Sequence, residues 1–253
     1  MKIARIKAAD DITYGVADAE GILVYHGSPF VAWEPTEIVV PWDRVQVLSP
    51  VLPTKVICVG KNYEDHADEM DGDIPEEPLI FMKPATAVIG QNAPIVLPPS
   101  SKEVHHEAEL AVVISKVARN VKAEDASAYI FGYTAANDVT ARDLQMRDGQ
   151  WTRAKGFDTF CPLGPAIETE LDPLERLAII CKVNGEVRQA GFTADMIFGV
   201  AEIIEYVSAV MTLLPGDVIL TGTPSGVGKI EHGDVVEVEL DGIGSLVNPV
   251  VAK

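Results

Sequence analysis

The sequence has few cysteines, no excess of basic residues and no long hydrophobic run. Cys58, Cys161 and Cys181 are scattered without C-x-x-C spacing, which argues against a disulfide framework or a structural zinc site. The 38 acidic and 20 basic residues give a formal charge of -18, which disfavours a nucleic acid or an anionic membrane as partner. The longest apolar stretch, residues 203–214, is too short to span a bilayer, and residues 1–11 lack an apolar signal core. We expect a soluble cytoplasmic protein that binds neither nucleic acid nor membrane.

The distribution of turns divides the chain into a small leading module and a larger remainder. At 253 residues, 47% of them hydrophobic, the chain can form one large domain or a small domain plus a large one. Short strands between turns predict a β-rich module over residues 1–52, which a proline-punctuated segment closes. A second domain is predicted over residues 53–253.

Hydrophobic periodicity predicts a mostly β fold of the α+β class. Short apolar runs between turn residues predict strands at residues 22–25, 55–60, 95–97, 110–114, 129–134, 179–183, 218–221 and 235–240. A helix is expected between residues 197 and 213, where apolar residues recur at three- and four-residue steps. A shorter helix is expected over residues 61–70, followed by an acidic segment with Gly and Pro at residues 71–78 that we expect to be mobile.

Three acidic residues are the candidate metal ligands. Glu107 and Glu109 lie two apart in HHEAEL, just before the apolar run LAVVI, and Asp138 follows in NDVTARD. On an extended strand residues i and i+2 face the same side, so the two glutamates could converge on one ion. Oxygen ligands favour a hard cation such as Mg²⁺, Mn²⁺ or Ca²⁺. The alternative is a solvated strand face, and the adjacent His105 and His106 are left outside the metal shell.

A histidine and a glutamate three residues apart are candidates for acid–base chemistry. On a helix His66 and Glu69 would share one face. A carboxylate beside an imidazole raises its proton affinity, so this pair could act as a general base near neutral pH. The alternative is a surface histidine among the acids of YEDHADEM.

Two cations and a glycine-rich turn are candidates for binding an anion. Lys155 has aromatic and apolar neighbours in WTRAKGFDTF, and Lys155 or Arg142 could offset the charge of the acid cluster. The alternative for either is a surface ion pair. The run TGTPSGVGK fails the phosphate-loop pattern, because Thr223 occupies the first glycine position and Ile230 follows Lys229. Its backbone N–H groups and the Thr223 hydroxyl could instead bind a carboxylate.

The order of several motifs resembles that of the fumarylacetoacetate hydrolase family. The resemblance covers residues 55–250, and the motifs are GKNYEDHADEM, FMKPATAVIG, HHEAEL, GYTAANDVTARDLQ, WTRAKGFDTFCPLGP, VNGEVRQ and MTLLPGDVILTGTPSGVG. It implies a mixed β-roll catalytic domain, a homodimer, and an Mg²⁺ or Mn²⁺ ion held by an E-x-E pair and a later Asp. The short leading module is similar to that of a bacterial branch described as 2-hydroxyhepta-2,4-diene-1,7-dioate isomerases.

The resemblance also implies roles for individual residues. Metal ligands would be Glu107, Glu109 and Asp138. His66 and Glu69 would activate water from a lid helix, with Lys155 as a third catalytic group. Substrate contacts would be Lys61, Arg142, Gln145 and Thr223. Thr159 falls near the outer shell of the ion, and Lys83 matches a basic position of the family.

Three hypotheses for function follow. The first is an Mg²⁺- or Mn²⁺-dependent hydrolase or decarboxylase that breaks a carbon–carbon bond in 2-oxo acids such as acylpyruvates or oxaloacetate. In this hypothesis the ion binds the substrate's carboxylate and keto oxygens and stabilises an enolate. The second is an isomerase of 2-hydroxyhepta-2,4-diene-1,7-dioate-type diacids in aromatic catabolism. The third is a non-catalytic dimeric binding protein.

Overall fold

The computed structural model describes residues 1–69, 74–173 and 175–253. Its strands are β1 Lys2–Ala8, β2 Asp11–Ala17, β3 Gly21–Ser28, β4 Ala32–Pro41, β5 Val45–Val47, β6 Val56–Gly60, β7 Leu79–Lys83, β8 Val88–Ile89, β9 Ile95–Leu97, β10 Val104–His106, β11 Ala108–Ile114, β12 Ile130–Asn137, β13 Thr140–Ala141, β14 Cys161–Glu168, β15 Ala178–Val183, β16 Glu186–Phe192, β17 Val218–Leu220, β18 Gly228–Lys229, β19 Val235–Leu240 and β20 Gly244–Ala252.

The helices are short apart from the last. The α-helices are α1 Glu64–Glu69, α2 Arg142–Asp148, α3 Thr152–Lys155 and α4 Val200–Val210, and short 3₁₀ helices span Trp42–Arg44, Ala85–Ala87, Ala123–Tyr129 and Thr193–Asp195. No helix in the described ranges has the length and apolar character needed to cross a bilayer.

The largest sheet contains strands from both predicted domains. Over the described residues it has 12 strands, in the order β4-β3-β2-β1-β14-β12-β11-β17-β6-β7, with β5 paired to β1 and β8 to β14. Strand β1 pairs with β14 through Lys2–Glu168 and Ile3–Ile167. The leading strands therefore extend the sheet that carries the candidate ligands. The boundary between residues 52 and 53 stays a prediction.

Strand β11 lies inside this sheet between β12 and β17 and is buried along its whole length. Leu110, Val112 and Ile114 pack into one hydrophobic cluster, and Ala111 and Val113 pack into another. A strand covered on both faces needs apolar residues at successive positions rather than alternating ones. This requirement explains the LAVVI run.

Two smaller sheets and α4 complete the core. One sheet has the order β16-β15-β19-β20-β9, and the other has the order β13-β10-β18. Helix α4 buries Val200, Ile203, Ile204 and Val207 in the same cluster as Leu110. These residues lie three and four apart, which places them on one helix face.

The prediction of a mostly β, α+β fold with an N-terminal module is confirmed, since strands account for 46% and helices for 18% of the structure. The predicted strands and the helix at 197–213 are present with shifts of up to three residues at their ends.

One expectation about local structure was wrong. Glu107 is not on a strand but is the single residue between β10 and β11. The first predicted helix begins three residues late, at Glu64, and helices α2 and α3 were not predicted. Residues 70–73, where this helix was expected to end and the mobile segment to begin, lie outside the described residues.

Candidate metal centre and active site

Three buried carboxylates meet at one end of the β11–β12 ladder. Glu109 is the second residue of β11, and the register pairs Ala108 with Asn137. Glu107 and Asp138 therefore flank this last pair, and the Asp138 N–H donates to the Glu107 carbonyl at 2.8 Å. One carboxylate oxygen from each acid lies within 4.8 Å of the others. The strand pairing thus brings together the three residues that the sequence predicted as ligands.

Three buried cations contact two of these acids. Lys83, at the end of β7, donates to Asp138 Oδ1 at 2.5 Å and to the Val139 carbonyl at 3.1 Å. Lys155 Nζ lies 2.7 Å from both Glu107 Oε2 and Asp138 Oδ2. Arg142 donates to Glu107 Oε1 at 2.5 Å. These contacts replace the surface ion pairs that were the alternative for Lys155 and Arg142, since all three cations are buried.

The charges in the cluster shift the pKa values of Glu107 and Lys155. Burial alone would raise the pKa of Glu107, but the charges of Lys155 and Arg142 outweigh it and lower the pKa below its ordinary value. For Lys155, burial alone would lower the pKa, but the charges of Asp138 and Glu107 outweigh it and raise the pKa above its ordinary value. Lys155 is therefore a fixed cation here rather than a base.

Glu109 differs from the other two acids. Its Oε2 accepts a hydrogen bond from the Gly222 N–H at 2.7 Å, and within the described parts of the chain it has no ion pair with a Lys or Arg side chain. Burial, together with the charges of Asp138 and Glu107, raises the pKa of Glu109 well above its ordinary value. A carboxylate in this position needs a cation to remain ionised. The oxygen-only donor set fits a divalent metal ion.

The carboxylates open onto a cavity of about 180 Å³, several times the roughly 30 Å³ that one water occupies in the liquid. Its polar wall adds Lys61, His66, Arg142, Gln145, Lys155 and Thr223 to the three acids, and its apolar wall is formed by Val59, Gly60, Phe81, Met146 and Trp151. Every residue predicted to bind metal or substrate therefore lines one cavity. Their individual roles stay predictions.

The His66–Glu69 pair lies at the edge of this cavity on helix α1. His66 Nδ1 is 3.1 Å from Glu69 Oε2, and the Gly226 N–H donates to both Glu69 oxygens at 3.1 and 3.2 Å. His66 is 6% exposed, so the alternative of a surface histidine is wrong. With Nδ1 facing the carboxylate, Nε2 is the nitrogen left for a substrate.

Arg142 and Thr223 have different capacities for a substrate contact. Arg142 Nε is buried and has no hydrogen-bond partner within the described residues, so one donor of this guanidinium is unused. The Thr223 hydroxyl already donates to the Ala108 carbonyl at 2.8 Å. In this arrangement the Thr223 side chain can only accept a further hydrogen bond, whereas the sequence analysis expected it to donate to a carboxylate.

Other sequence candidates lie outside the acid cluster. Thr159, expected near the outer shell of an ion, accepts from the Val96 N–H at 2.9 Å and is absent from the described residues that line the cavity. His105 contacts Glu103 at 3.3 Å, and His106 contacts Gln189 at 3.0 Å. Neither histidine belongs to the group of carboxylates found among the described residues.

Two functional candidates escaped the residue-level reasoning. Lys83 was noted only through the resemblance, although a lysine that ends the apolar strand LIFMK needs a buried partner. Gln189 in VNGEVRQ was given no role. A single glutamine in a sequence does not indicate a functional role, because that role depends on which residues its amide group contacts in the fold.

Sequence comparison covers nearly the whole chain. The family description "Fumarylacetoacetate (FAA) hydrolase C-terminal" matches residues 55–251. A second description, "Rv2993c-like, N-terminal", matches residues 1–50.

Individual relatives are similar in sequence and in structure. Protein Rv2993c of Mycobacterium tuberculosis is 49% identical over 265 residues, covering 100% of this chain and 99% of that protein. The mitochondrial oxaloacetate tautomerase Fahd2a of Rattus norvegicus is 47% identical over 224 residues, covering 84% and 71% respectively. The crystal structure of 2-hydroxyhepta-2,4-diene-1,7-dioate isomerase from Mycobacterium marinum is 46% identical with a TM-score of 0.92, and the match covers 100% of this chain and 99% of that one.

Proposed function

This chain belongs to the fumarylacetoacetate hydrolase family, and from that premise we propose that it interconverts the keto and enol forms of small 2-oxo dicarboxylic acids such as oxaloacetate. The observation that carries the proposal is the buried Glu107–Glu109–Asp138 cluster, which opens onto a cavity that His66 and Lys155 also line. The resemblance inferred from the motifs is confirmed, and family membership supports a catalytic role over a non-catalytic binding protein. Relatives named as a tautomerase and as an isomerase support this reaction class.

The cluster would hold Mg²⁺ or Mn²⁺ through Glu107, Glu109 and Asp138. When bound, such an ion supplies Lewis acidity that polarises the 2-oxo group of a substrate. The three acids suit such an ion because their donor atoms are oxygens and their side chains are buried. In addition, Glu109 forms no ion pair with a Lys or Arg side chain among the described residues, and its pKa is raised. Homodimer formation and a cytoplasmic location remain proposals that rest on the resemblance and on the composition.

The charge balance favours a substrate with two carboxylates. When all three acids are ionised, their charges equal those of Lys83, Arg142 and Lys155, and Lys61 adds a further positive charge to the cavity wall. A divalent ion would add two more positive charges, and poorly solvated charge without a partner is unfavourable. A dicarboxylate would neutralise both, and the free Nε donor of Arg142 is suited to one of its carboxylates.

Proton transfer is assigned to His66. Its Nε2 would remove a proton from C3 of the keto form, and the electron pair of the broken C–H bond would form the C2–C3 double bond. The ammonium group of Lys155 would stabilise the negative charge that develops on the C2 oxygen. Return of the proton to that oxygen gives the enol, so the reaction needs no other reactant.

Carbon–carbon cleavage, the first hypothesis of the sequence analysis, remains the second candidate. The observation that favours it is the buried His66–Glu69 pair, because an imidazole held by a carboxylate can also take a proton from water. Attack of that water on the distal carbonyl of an acylpyruvate would release pyruvate and a carboxylic acid. Loss of CO₂ from oxaloacetate would leave the same enolate, which becomes pyruvate on protonation at C3.

Substrate assays with the purified protein distinguish these reactions. The protein would be stripped of metal, reloaded with Mg²⁺ or Mn²⁺, and given the enol form of oxaloacetate while enol absorbance and pyruvate are followed separately. We expect metal-dependent loss of enol absorbance without matching pyruvate. Stoichiometric pyruvate from oxaloacetate or acetylpyruvate would instead establish cleavage. Absence of turnover with these acids and with an unsaturated oxo-diacid, in protein that binds the metal, would contradict the proposal.

A further inference from the structure

The side chain of Gln189 connects the strand of the metal ligands to the loop that faces the cavity. Gln189 lies on β16 and is 1% exposed. Its Oε1 accepts from the Ala108 N–H and contacts His106 Nδ1, both at 3.0 Å. Its Nε2 donates to Thr223 Oγ1 and to the Pro224 carbonyl, both at 2.8 Å. Every donor and acceptor of this amide group is therefore used.

These partners fix the orientation of the amide. A backbone N–H can only donate and a carbonyl can only accept, so Oε1 must face Ala108 and Nε2 must face Pro224. His106 Nδ1 consequently carries the hydrogen. Thr223 accepts from Gln189, and its own hydrogen goes to the Ala108 carbonyl. Reversing the amide would break both main-chain contacts at once.

The position of each partner gives this bridge its importance. Ala108 is the residue between Glu107 and Glu109, and both its N–H and its carbonyl are held, one by Gln189 and one by Thr223. On the other side, Thr223 and Pro224 follow Gly222, whose N–H donates to Glu109. The Gln189 side chain thus bridges the E-x-E segment and the 222–224 loop, and it adds to the direct contacts that Thr223 and Gly222 make with that segment.

We propose that Gln189 is a positioning residue, which holds Glu107, Glu109 and the 222–224 loop in the geometry required to bind the metal ion and the substrate. Its effect on substrate rests on the proposed function, whereas its effect on the cluster does not. Outer hydrogen-bond partners of metal-binding residues typically change metal affinity by about 10- to 100-fold when removed. A residue needed only for stability would leave that affinity unchanged in the folded protein.

Gln189→Met tests this role, because methionine has a similar shape and cannot form the four contacts. Asn248→Leu is the matched control: Asn248 is equally buried, and its amide donates to the Gly90 and Ala93 carbonyls at 2.9 and 2.8 Å. Mn²⁺ affinity would be measured by calorimetry well below the Tm of each variant. We expect Gln189→Met to weaken Mn²⁺ binding by about 10- to 100-fold and to raise KM more than it lowers kcat at saturating Mn²⁺. Asn248→Leu should lower the Tm while leaving the Mn²⁺ affinity unchanged.

A second variant and a second measurement keep the test decisive. Gln189→Glu keeps the two acceptor contacts and serves if the methionine variant does not fold; it should weaken Mn²⁺ binding to a smaller degree. Hydrogen exchange of the Ala108 amide should accelerate in Gln189→Met, which removes its acceptor, that of the Gly222 amide should accelerate in either Gln189 variant, and both should stay slow in Asn248→Leu. Wild-type Mn²⁺ affinity and unchanged exchange in a folded Gln189 variant would overturn the proposal. Tight Mn²⁺ binding without turnover of any oxo acid would refute the proposed function alone.

Discussion

The floor and the rim of the cavity are built in different ways. The floor consists of Glu107, Glu109 and Asp138 with the cations Lys83 and Lys155, and every one of these side chains is buried. It rests on β11, which pairs with strands on both sides. The rim is helix α1, which is six residues long and carries His66 and Glu69.

The rim has fewer attachments than the floor. Glu69 has a side-chain exposure of 32% and reaches the rest of the molecule through the Gly226 N–H. An isolated helix of this length is not stable by itself, so its position depends on such contacts. Under the proposed function, the sheet would fix where the ion and the substrate bind, and the helix would supply the group that moves protons. Changes in the floor should therefore abolish binding and reaction together, and changes in the rim should separate them.

Glu109→Gln should have the largest effect, because it removes the carboxylate that, among the described residues, forms no ion pair with a Lys or Arg side chain. We expect loss of measurable Mg²⁺ binding and a decrease in kcat/KM of about 1000-fold or more, equivalent to about 4 kcal/mol. Calorimetric titration and steady-state kinetics would measure both. Glu239→Gln, a surface carboxylate paired with Lys182, is the control and should behave as wild type. Full activity and affinity in Glu109→Gln would remove the ligand assignment.

His66→Ala should separate reaction from binding. The imidazole contacts Glu69 rather than the acid cluster, so Mg²⁺ affinity should change little while kcat falls by about 100- to 10,000-fold. His232→Gln, an exposed histidine that accepts from the Ala252 N–H, should leave both unchanged. If His66→Ala weakens metal binding as much as it lowers kcat, the floor and the rim are not independent.

The pH dependence of metal binding should come from the floor. Burial and the charges of Asp138 and Glu107 raise the pKa of Glu109, so an ion bound at the cluster would compete with a proton for this carboxylate. A raised folded-state pKa contributes stability below the unfolded value, and that contribution is lost as the pH rises through the folded value. Metal binding has the opposite dependence, because it requires the carboxylate.

The increase in Tm produced by Mg²⁺ should therefore grow with pH across the interval between these two pKa values. Below the raised pKa, affinity should change by about tenfold per pH unit if one proton is released. Thermal melts with and without Mg²⁺ between about pH 5 and 8 would measure this. A stabilisation that does not vary with pH would show that Glu109 is already ionised before the ion binds.

Glu69→Gln should have the smallest effect of the four. Glutamine keeps a hydrogen-bond acceptor for the Gly226 N–H and for His66 but loses the charge, so we expect kcat to fall by about tenfold with unchanged metal affinity. Glu64→Gln, an exposed acid on the same helix, provides the comparison. An equal loss in Glu64→Gln would assign the effect to the charge of the helix as a whole.

The comparison also explains what the sequence could predict. The E-x-E spacing and the following apolar run carry the period of a strand, so the location of Glu109 followed from local pattern. Asp138 was grouped with the glutamates as a third acid later in the chain, but the β11–β12 pairing that brings it close to them is not visible in one sequence. Lys83 and Gln189 lie 55 residues before Asp138 and 81 residues after Ala108. Contacts over such separations depend on the sheet order, which no local periodicity encodes.

Glu107 shows a further limit of local pattern. Strict alternation predicted it on one strand with Glu109, whereas Glu107 separates β10, which belongs to the three-stranded sheet, from β11 in the largest sheet. The break leaves the carboxylate free to accept from Thr140 and Arg142. The position of Glu107 at a strand end is therefore consistent with the contacts that its side chain makes. The strand propensity of the neighbouring residues did not predict it.

We expect the short pairing between β1 and β14 to affect self-association of the protein in concentrated solution. Two further strands pair with the outer edge of β14: β8 at Cys161 and Pro162, and β1 at Ile167 and Glu168. Without the leading strands, the margin near Ile167 would present unpaired main-chain groups beside apolar side chains, a known template for self-association. We therefore expect a variant without the leading strands to self-associate more readily than the full chain.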